Sequence, residues 1–231
     1  MIATITEIIE RLPDDKTQII GVTGQAGAGK TSISSRLQET AGNLGRPTRI
    51  LSLDSFFILS STERKKWLEE GRQDSETEFS SRSDQMCWWD FRAVKTALET
   101  LKSGLELNLT GIYNRDDGGE LTGRIKIRAD KGRIILFEGV ATAHLKSYLN
   151  LLFFLYVPWD VRFRRIESRD TYRSGAEARG RFEVTQQFEE TYFRTHWENI
   201  DYFIDNSNTS PEVSNHSLQP DMVLIWNGWN N

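Results

Sequence analysis

Gly24-Gln25-Ala26-Gly27-Ala28-Gly29-Lys30-Thr31 has the pattern G-x-x-x-x-G-K-T, the phosphate-cradling P-loop. Its glycines let the backbone curl so that several N–H groups face one point, which suits phosphate oxygens. Lys30 adds a point charge near the β- and γ-phosphates, and the Thr31 hydroxyl is of the type that ligates Mg²⁺. The flanks support the reading. Gln18 to Thr23 is a short apolar, β-branched run suited to a buried strand, and Ser32 to Ala41 continues at helical spacing with Ile33 and Leu37 on one face. A strand entering and a helix leaving put the helix N-terminus on the phosphate. Residues 24–31 together with Ser32 are therefore the expected nucleotide contacts, with ATP as the expected ligand.

The rest of the composition is compatible with one α/β domain over residues 1–231. The chain is 38% hydrophobic and 27% charged, the balance of a globular protein rather than a disordered one. No apolar run approaches the length of a membrane span, and the N-terminal residues carry no basic stretch of the secretory kind, so neither a membrane nor export is expected. The single Cys87 excludes an internal disulfide and suits the cytoplasm; an ordinary buried or half-buried thiol is expected. A net charge of −4, with a pI of about 5.5, argues against nucleic acid as the main partner. The expected partner is a small molecule, and a homo-oligomer is left open.

Strand and helix signals alternate along the chain. A helix around residues 4–12 ends at Pro13; Thr48 to Asp54 is a second strand ending in an acid; residues 61–70 form a solvated helix and 71–87 a polar loop. Trp89 to Lys102 has a helical stripe of Phe91, Val94, Leu98 and Leu101. Two alternating segments flank Asp116-Asp117-Gly118-Gly119 and predict a hairpin inserted over about 105–129. Residues 133–137 and 151–157 are buried strands, 161–170 an arginine-dense helix, 173–181 a mobile glycine-containing loop, 182–199 a long amphipathic helix and 222–226 a final strand. This alternation predicts a mostly parallel, doubly wound sheet with helices on both faces, the P-loop NTPase fold.

Ligands of such sheets bind beyond the carboxyl ends of the strands. Asp54 and Glu138 each follow an apolar run and should share that rim with Lys30. Asp54 is placed to take a proton from an attacking hydroxyl or to hold a metal, and Glu138 to hold Mg²⁺ or its water beside Thr31.

Several motifs resemble one family. Leu51-Ser52-Leu53-Asp54-Ser55-Phe56-Phe57 is similar to the strand-two motif of the uridine kinase/phosphoribulokinase family, of the form LSxDDFY or ISQDSFY. Phe137-Glu138-Gly139-Val140 resembles its LEGI or FEGI, Ile112-Tyr113-Asn114 stands in the place of its PVYD, and Asp160 through Asp170 with Gly175 resembles its DVRLxRRIxRDxxxRG lid segment. The likeness runs in order from about Ile19 to Asn206. It implies a kinase that uses ATP and Mg²⁺ to phosphorylate a hydroxyl of a small molecule. Asp54 would be the base, Phe57 and Tyr113 would meet the acceptor, and Asp84 would match an aspartate that holds sugar hydroxyls. The chain departs from the pattern around Ser83-Asp84-Gln85-Met86, and it has Asn114-Arg115-Asp116-Asp117-Gly118-Gly119 where the family carries THS after its Tyr. A sugar, sugar phosphate, polyol acid or nucleoside all stay open as acceptor.

Phosphoryl transfer needs cations around charge spread over three oxygens, delivered as a lid closes. Arg162, Arg165 and Arg169 share one helical face, and Arg173, Arg179 and Arg181 follow in a lid of about 165–182. Arg165 and Arg169 are the first candidates and Arg173 a nucleotide contact; for the others a solvated face is expected. Trp88 and Trp89 either anchor the following helix or stack on a ring, and His144, His196 and His216 read as bland. The rival reading is a nucleotide-dependent switch. A GTPase would carry N/T-K-x-D, and a transport ATPase an LSGGQ-like stretch; the chain has neither. Asp116 to Gly119 fits D-x-x-G but falls on the predicted hairpin turn. A substrate-binding member without turnover is disfavoured by the intact Lys30, Asp54 and Glu138.

Overall fold

The structure is a computed structural model that describes residues 5–169, 175–207 and 212–215. At its centre is β1 (Gln18–Gly24), buried at every position. It pairs in parallel with β5 (Ile134–Glu138) on one side and β6 (Leu151–Tyr156) on the other. β2 (Thr48–Ser52) and β7 (Tyr202–Asp205) extend the sheet in parallel, and β8 (Glu212–Asn215) closes it antiparallel, in the order β2-β5-β1-β6-β7-β8.

The period of two sorts the strand residues onto two cores. Ile19, Ile135, Phe137, Leu152 and Phe154 join one, with Val94, Leu98 and Leu101 of α5 (Phe91–Lys102) and Phe193 of α7 (Gly175–His196). Ile20, Val22, Leu136, Phe153 and Leu155 join the other, with Ile8 and Ile9 of α1 (Ile5–Glu10) and Ile33 and Leu37 of α2 (Lys30–Asn43). Both faces of the sheet are thus covered, as the uninterrupted apolar strands require. The predicted α/β class and doubly wound parallel sheet are what the structure has.

A separate antiparallel hairpin, β3 (Leu107–Asn114) and β4 (Glu120–Ile127), stands outside the sheet. Gly118 and Gly119 turn it with φ of 64° and 82°, so the D-x-x-G stretch is turn chemistry. Its base is tied down by Arg133, which is 1% exposed. The guanidinium donates to Leu101 O at 3.0 Å, Leu105 O at 2.6 Å, Arg128 O and Thr17 Oγ1, gathering the end of α5 and both hairpin legs onto the start of β5.

Several expectations are corrected. Residues 71–87 are not a loop: α3 (Ser61–Asp74) continues past 70, and α4 (Glu76–Ser83) follows a single link residue. The Ser75 hydroxyl accepts the Glu78 N–H and starts α4. These helices have few apolar residues because they pack through Arg82, which lies over the Trp67 ring and donates to Trp67 O at 2.7 Å, so they leave no hydrophobic period to read. The expected glycine-containing loop is helical from Gly175 onward, since Phe182 buries against Trp159 and Phe163 of α6 (Trp159–Arg169). Cys87 is exposed rather than buried. β7 gave no signal because it is four residues long and half polar at its ends. The expected strand at 222–226 lies outside the described residues.

Replacing Arg133 with Met would leave several buried carbonyls without their donor. In urea titrations Arg133→Met is expected to lower stability by about 2–4 kcal/mol. A loss below about 0.5 kcal/mol would mean that the hairpin holds its place without this residue.

Candidate active site

The parallel registers bring the predicted chemistry to one rim. Val22 of β1 and Ser52 of β2 both lie beside Glu138 of β5, so residues just past Val22 and Ser52 project over the carboxyl end of β5. Those residues are the phosphate loop and Asp54. Asp54 sits not at the end of β2 but in a helical turn after it, where its N–H meets Ser52 Oγ at 3.2 Å.

The loop is built by exclusion as much as by attraction. Gly24, Gly27 and Gly29 have φ of 150°, 79° and 87°. A Cβ on Gly27 would stand 2.6 Å from the Arg162 carbonyl oxygen, so the loop and α6 touch backbone to backbone. The loop carbonyls point outward to fixed donors. Arg162 Nη1 reaches Ala26 O at 3.2 Å, Asn206 Nδ2 reaches Ala28 O at 2.8 Å, and Lys30 Nζ reaches Gly24 O at 2.8 Å and Gln25 O at 3.1 Å. Gly29 opens α2, so the first-turn amides of Lys30, Thr31 and Ser32 face the mouth of the loop.

Thr31 Oγ1 and Glu138 Oε1 are 3.2 Å apart. The second oxygen of Glu138 is buried and has no hydrogen-bond partner among the described residues. A hydroxyl and a buried carboxylate oxygen side by side are hard oxygen ligands of the sort Mg²⁺ takes, so the predicted metal pair fits the ion. Burial raises the Glu138 carboxyl above its ordinary range, against the pull of Lys30, and burial lowers the Lys30 ammonium despite Glu189, Glu138 and Asp54 nearby. Lys30, Glu138 and Asp54 thus lie within one electrostatic neighbourhood.

Asp54 is half-buried and its Oδ2 pairs with Arg115 Nη2 at 3.1 Å, from the hairpin turn. The hairpin also brings Tyr113, whose hydroxyl lies 3.0 Å from Ser61 Oγ and whose ring meets Phe57 edge-on at 5.1 Å. Phe57 stacks on Trp89 at 5.3 Å. Trp89 is 5% exposed and belongs to the core, which decides its role as packing; Trp88 is half-buried and donates its indole N–H to Arg82 O. Asp84 is used locally: it is exposed, and its carboxylate accepts the Met86 N–H at 2.9 Å.

The arginines divide sharply. Arg162, expected on a solvated face, is 0% exposed. Arg165 donates through Nη2 to Asn206 O at 2.8 Å, while its Nη1 lies buried close to Gly29 with no hydrogen-bond partner among the described residues. Arg169 is exposed at the end of α6, and Arg173 lies outside the described residues. His144 and His196 come together, with ring centroids 5.9 Å apart beside Tyr192, and burial lowers His144 to about 4; no group of three or more metal-type side chains occurs among the described residues. His216 lies outside the described residues.

Three residues escaped the sequence reading. Arg115 carries the ion pair to Asp54. Arg64 of α3 is 6% exposed, with its guanidinium 4.0 Å from the Phe57 ring centroid and 5.9 Å from that of Tyr113. Glu189 of α7 accepts the Ala26 N–H at 2.8 Å and, with Arg162, is buried against the loop. For Arg64 and Glu189 the only signal is a charge on a helix, indistinguishable in one sequence from a solvated face.

The family model described as "Phosphoribulokinase / Uridine kinase family" matches residues 19–208. A uridine kinase of Schizosaccharomyces pombe is 30% identical over 179 residues, which is 76% of this chain; the chain spans 37% of that relative's length. Among solved structures, the phosphoribulokinase of Rhodobacter spheroides superposes with a TM-score of 0.64 at 13% identity, over 83% of this chain and 70% of that one. A structure described as a possible uridine kinase from Bacillus stearothermophilus gives 0.60 at 15% identity, over 86% and 94%. At such identities the structures speak for the fold. With the family's strand-two motif, its Glu-Gly after β5 and its phosphate loop now placed on one rim, the chain belongs to the phosphoribulokinase/uridine kinase family.

Proposed function

We propose that the protein transfers the γ-phosphate of ATP to a hydroxyl of a small molecule. The observation that carries this reading is the placement of Asp54 beside Lys30 and Glu138, at the end of the strands that hold the phosphate loop. In it residues 24–32 take the triphosphate, with inward N–H groups and the α2 N-terminus facing its oxygens. Thr31 and Glu138 hold Mg²⁺, which when bound neutralises charge on the phosphate oxygens. Arg165, poised at Gly29, and Lys30 face the charge that develops on the transferring group. Arg169 and Arg173 belong to the same lid segment in this reading, which spans about residues 165–182 within one domain of residues 1–231.

Asp54 orients the acceptor hydroxyl and removes its proton. Its partner Arg115 aims the carboxylate, whose oxygens accept from a hydroxyl as that hydroxyl's oxygen forms its bond to phosphorus. Phe57 and Tyr113 wall the acceptor side, with Arg64 over the Phe57 ring. Asp84 closes that side in the family likeness; supporting it here would need its carboxylate to leave the Met86 amide. Positioning and charge stabilisation supply most of the acceleration. The acceptor class extends over nucleosides, sugars, sugar phosphates and polyol acids. A cytoplasmic location accords with a single exposed thiol, and no helix among the described residues is long and apolar enough to cross a membrane.

Asp54→Asn is expected to bind MgATP as the parent does and to lose about a hundredfold or more in phosphoryl transfer. Near-parental turnover would remove Asp54 from the chemistry. Lys30→Ala is expected to weaken MgATP binding by about tenfold or more, and parental affinity in that variant would undercut the phosphate-loop assignment. Assayed for ADP release against nucleosides, pentoses, sugar phosphates and glycerate, the parent is expected to show one strong acceptor. A blank panel from a protein that binds MgATP would favour the switch.

A further inference from the structure

We propose that Glu189 is a positioning residue of the nucleotide site, fixing the Ala26 peptide and tying helix α7 to the phosphate loop. The inference rests on the nucleotide-binding reading above.

The geometry is specific to one residue and to the two peptide units that flank it. Glu189 Oε1 accepts the Ala26 N–H at 2.8 Å, and Arg162 Nη1 donates to the Ala26 carbonyl at 3.2 Å. The N–H of this residue and the C=O of this residue are therefore both claimed, one by α7 and one by α6. Two neighbouring charges do it, with Arg162 Nη1 3.9 Å from Glu189 Oε2. Arg162 is itself pinned, its Nε donating to Val157 O at 3.2 Å and its guanidinium lying 5.2 Å from the Phe182 ring centroid of α7. Holding Ala26 in this way fixes the turn that follows, in which the Ala28 N–H bonds to Gln25 O and Gly27 takes its positive φ. The direction of the remaining loop amides depends on that turn. A carboxylate is an unusual neighbour for a phosphate site, because it repels the ligand. Its presence at 1% exposure, on a loop amide, needs a role that offsets that repulsion.

The same repulsion makes the role measurable. The groups that face Glu189 are Lys30 from α2, Arg162 from α6 and Glu190 on α7 itself. Burial outweighs the two cations and raises its carboxyl to about 7. A bound triphosphate adds negative charge on the Lys30 side, which favours the protonated carboxyl further. The sign follows: the protonated form binds the ligand more tightly, so affinity is highest below about pH 7 and falls as pH rises past it, about tenfold for each unit by which binding raises the carboxyl.

The test is equilibrium binding of MgATP between pH 6 and 8.5, with thermal unfolding of each variant as a folding control. The dissociation constant of the parent is expected to rise about tenfold over the range, and that of Glu189→Gln, which keeps an acceptor for Ala26 but has no proton to exchange, to stay flat. Comparing the two cancels the titration of the ligand. Glu189→Asp keeps the charge but is too short to reach Ala26, and is expected to bind about tenfold more weakly at every pH while keeping the slope. A flat profile in the parent, an equal slope in Glu189→Gln, or parental affinity in Glu189→Asp would each overturn the proposal while leaving the kinase reading intact. If the parent binds no MgATP at any pH, the nucleotide reading itself fails, and this inference with it. Should Glu189→Gln not fold, the Glu189→Asp arm decides.

Discussion

A phosphate loop has to turn most of its N–H groups toward one point, and it can do so only if its carbonyls have somewhere else to go. In this protein they go to side chains, two of them on distant elements and one, Lys30, in the loop motif itself. Ala26 O is taken by α6, Ala28 O by the residue after β7, and Gly24 O and Gln25 O by the first residue of α2. The rest of the molecule can be understood as the frame that holds these donors still. β1 is buried along its whole length and aims the loop, β6 carries α6 to it, and β7 delivers Asn206. Three positive-φ glycines make the path passable, and backbone contact with Arg162 and Leu155 leaves no room for side chains there.

Around the loop several charges are buried together. Lys30, Glu138, Glu189 and Arg162 are each shifted toward their neutral forms by burial, and each is drawn back by its neighbours. A cluster of this kind is costly to fold unless each charge has a partner, and it is the arrangement in which adding a polyanion and a divalent cation changes protonation most. In the proposed reading Thr31 and Glu138 answer for the cation and the loop amides for the anion.

The acceptor side is constructed differently. It has rings where the donor side has peptide groups: Phe57, Trp89 and Tyr113 in successive contact, with Arg64 over Phe57. Aromatic walls give shape and little chemical identity. Its polar groups, Arg115 on Asp54 and the Tyr113 hydroxyl on Ser61, come from the hairpin turn or face it. In the proposed reading specificity sits on the insertion, where residues 114–119 depart from the family pattern.

The chain alone determined the donor half of the site. A short-range pattern specifies the phosphate loop because its chemistry lies in consecutive residues, and the buried strands announce themselves because parallel strands covered on both faces are apolar throughout. Asp54 and Glu138 were legible because each is an acid at or just past the end of an apolar run. What the chain did not disclose are contacts made across it. Arg162 and Glu189 meet the loop from 136 and 163 residues away, Arg115 meets Asp54 from 61, and α3 with α4 pack through a guanidinium rather than an apolar stripe. Charge on a helix reads as solvated until folding shows what lies against it, since burial is a property of the neighbours and not of the residue. Only the tertiary structure could bring Arg162, Glu189 and Arg115 from surface to site.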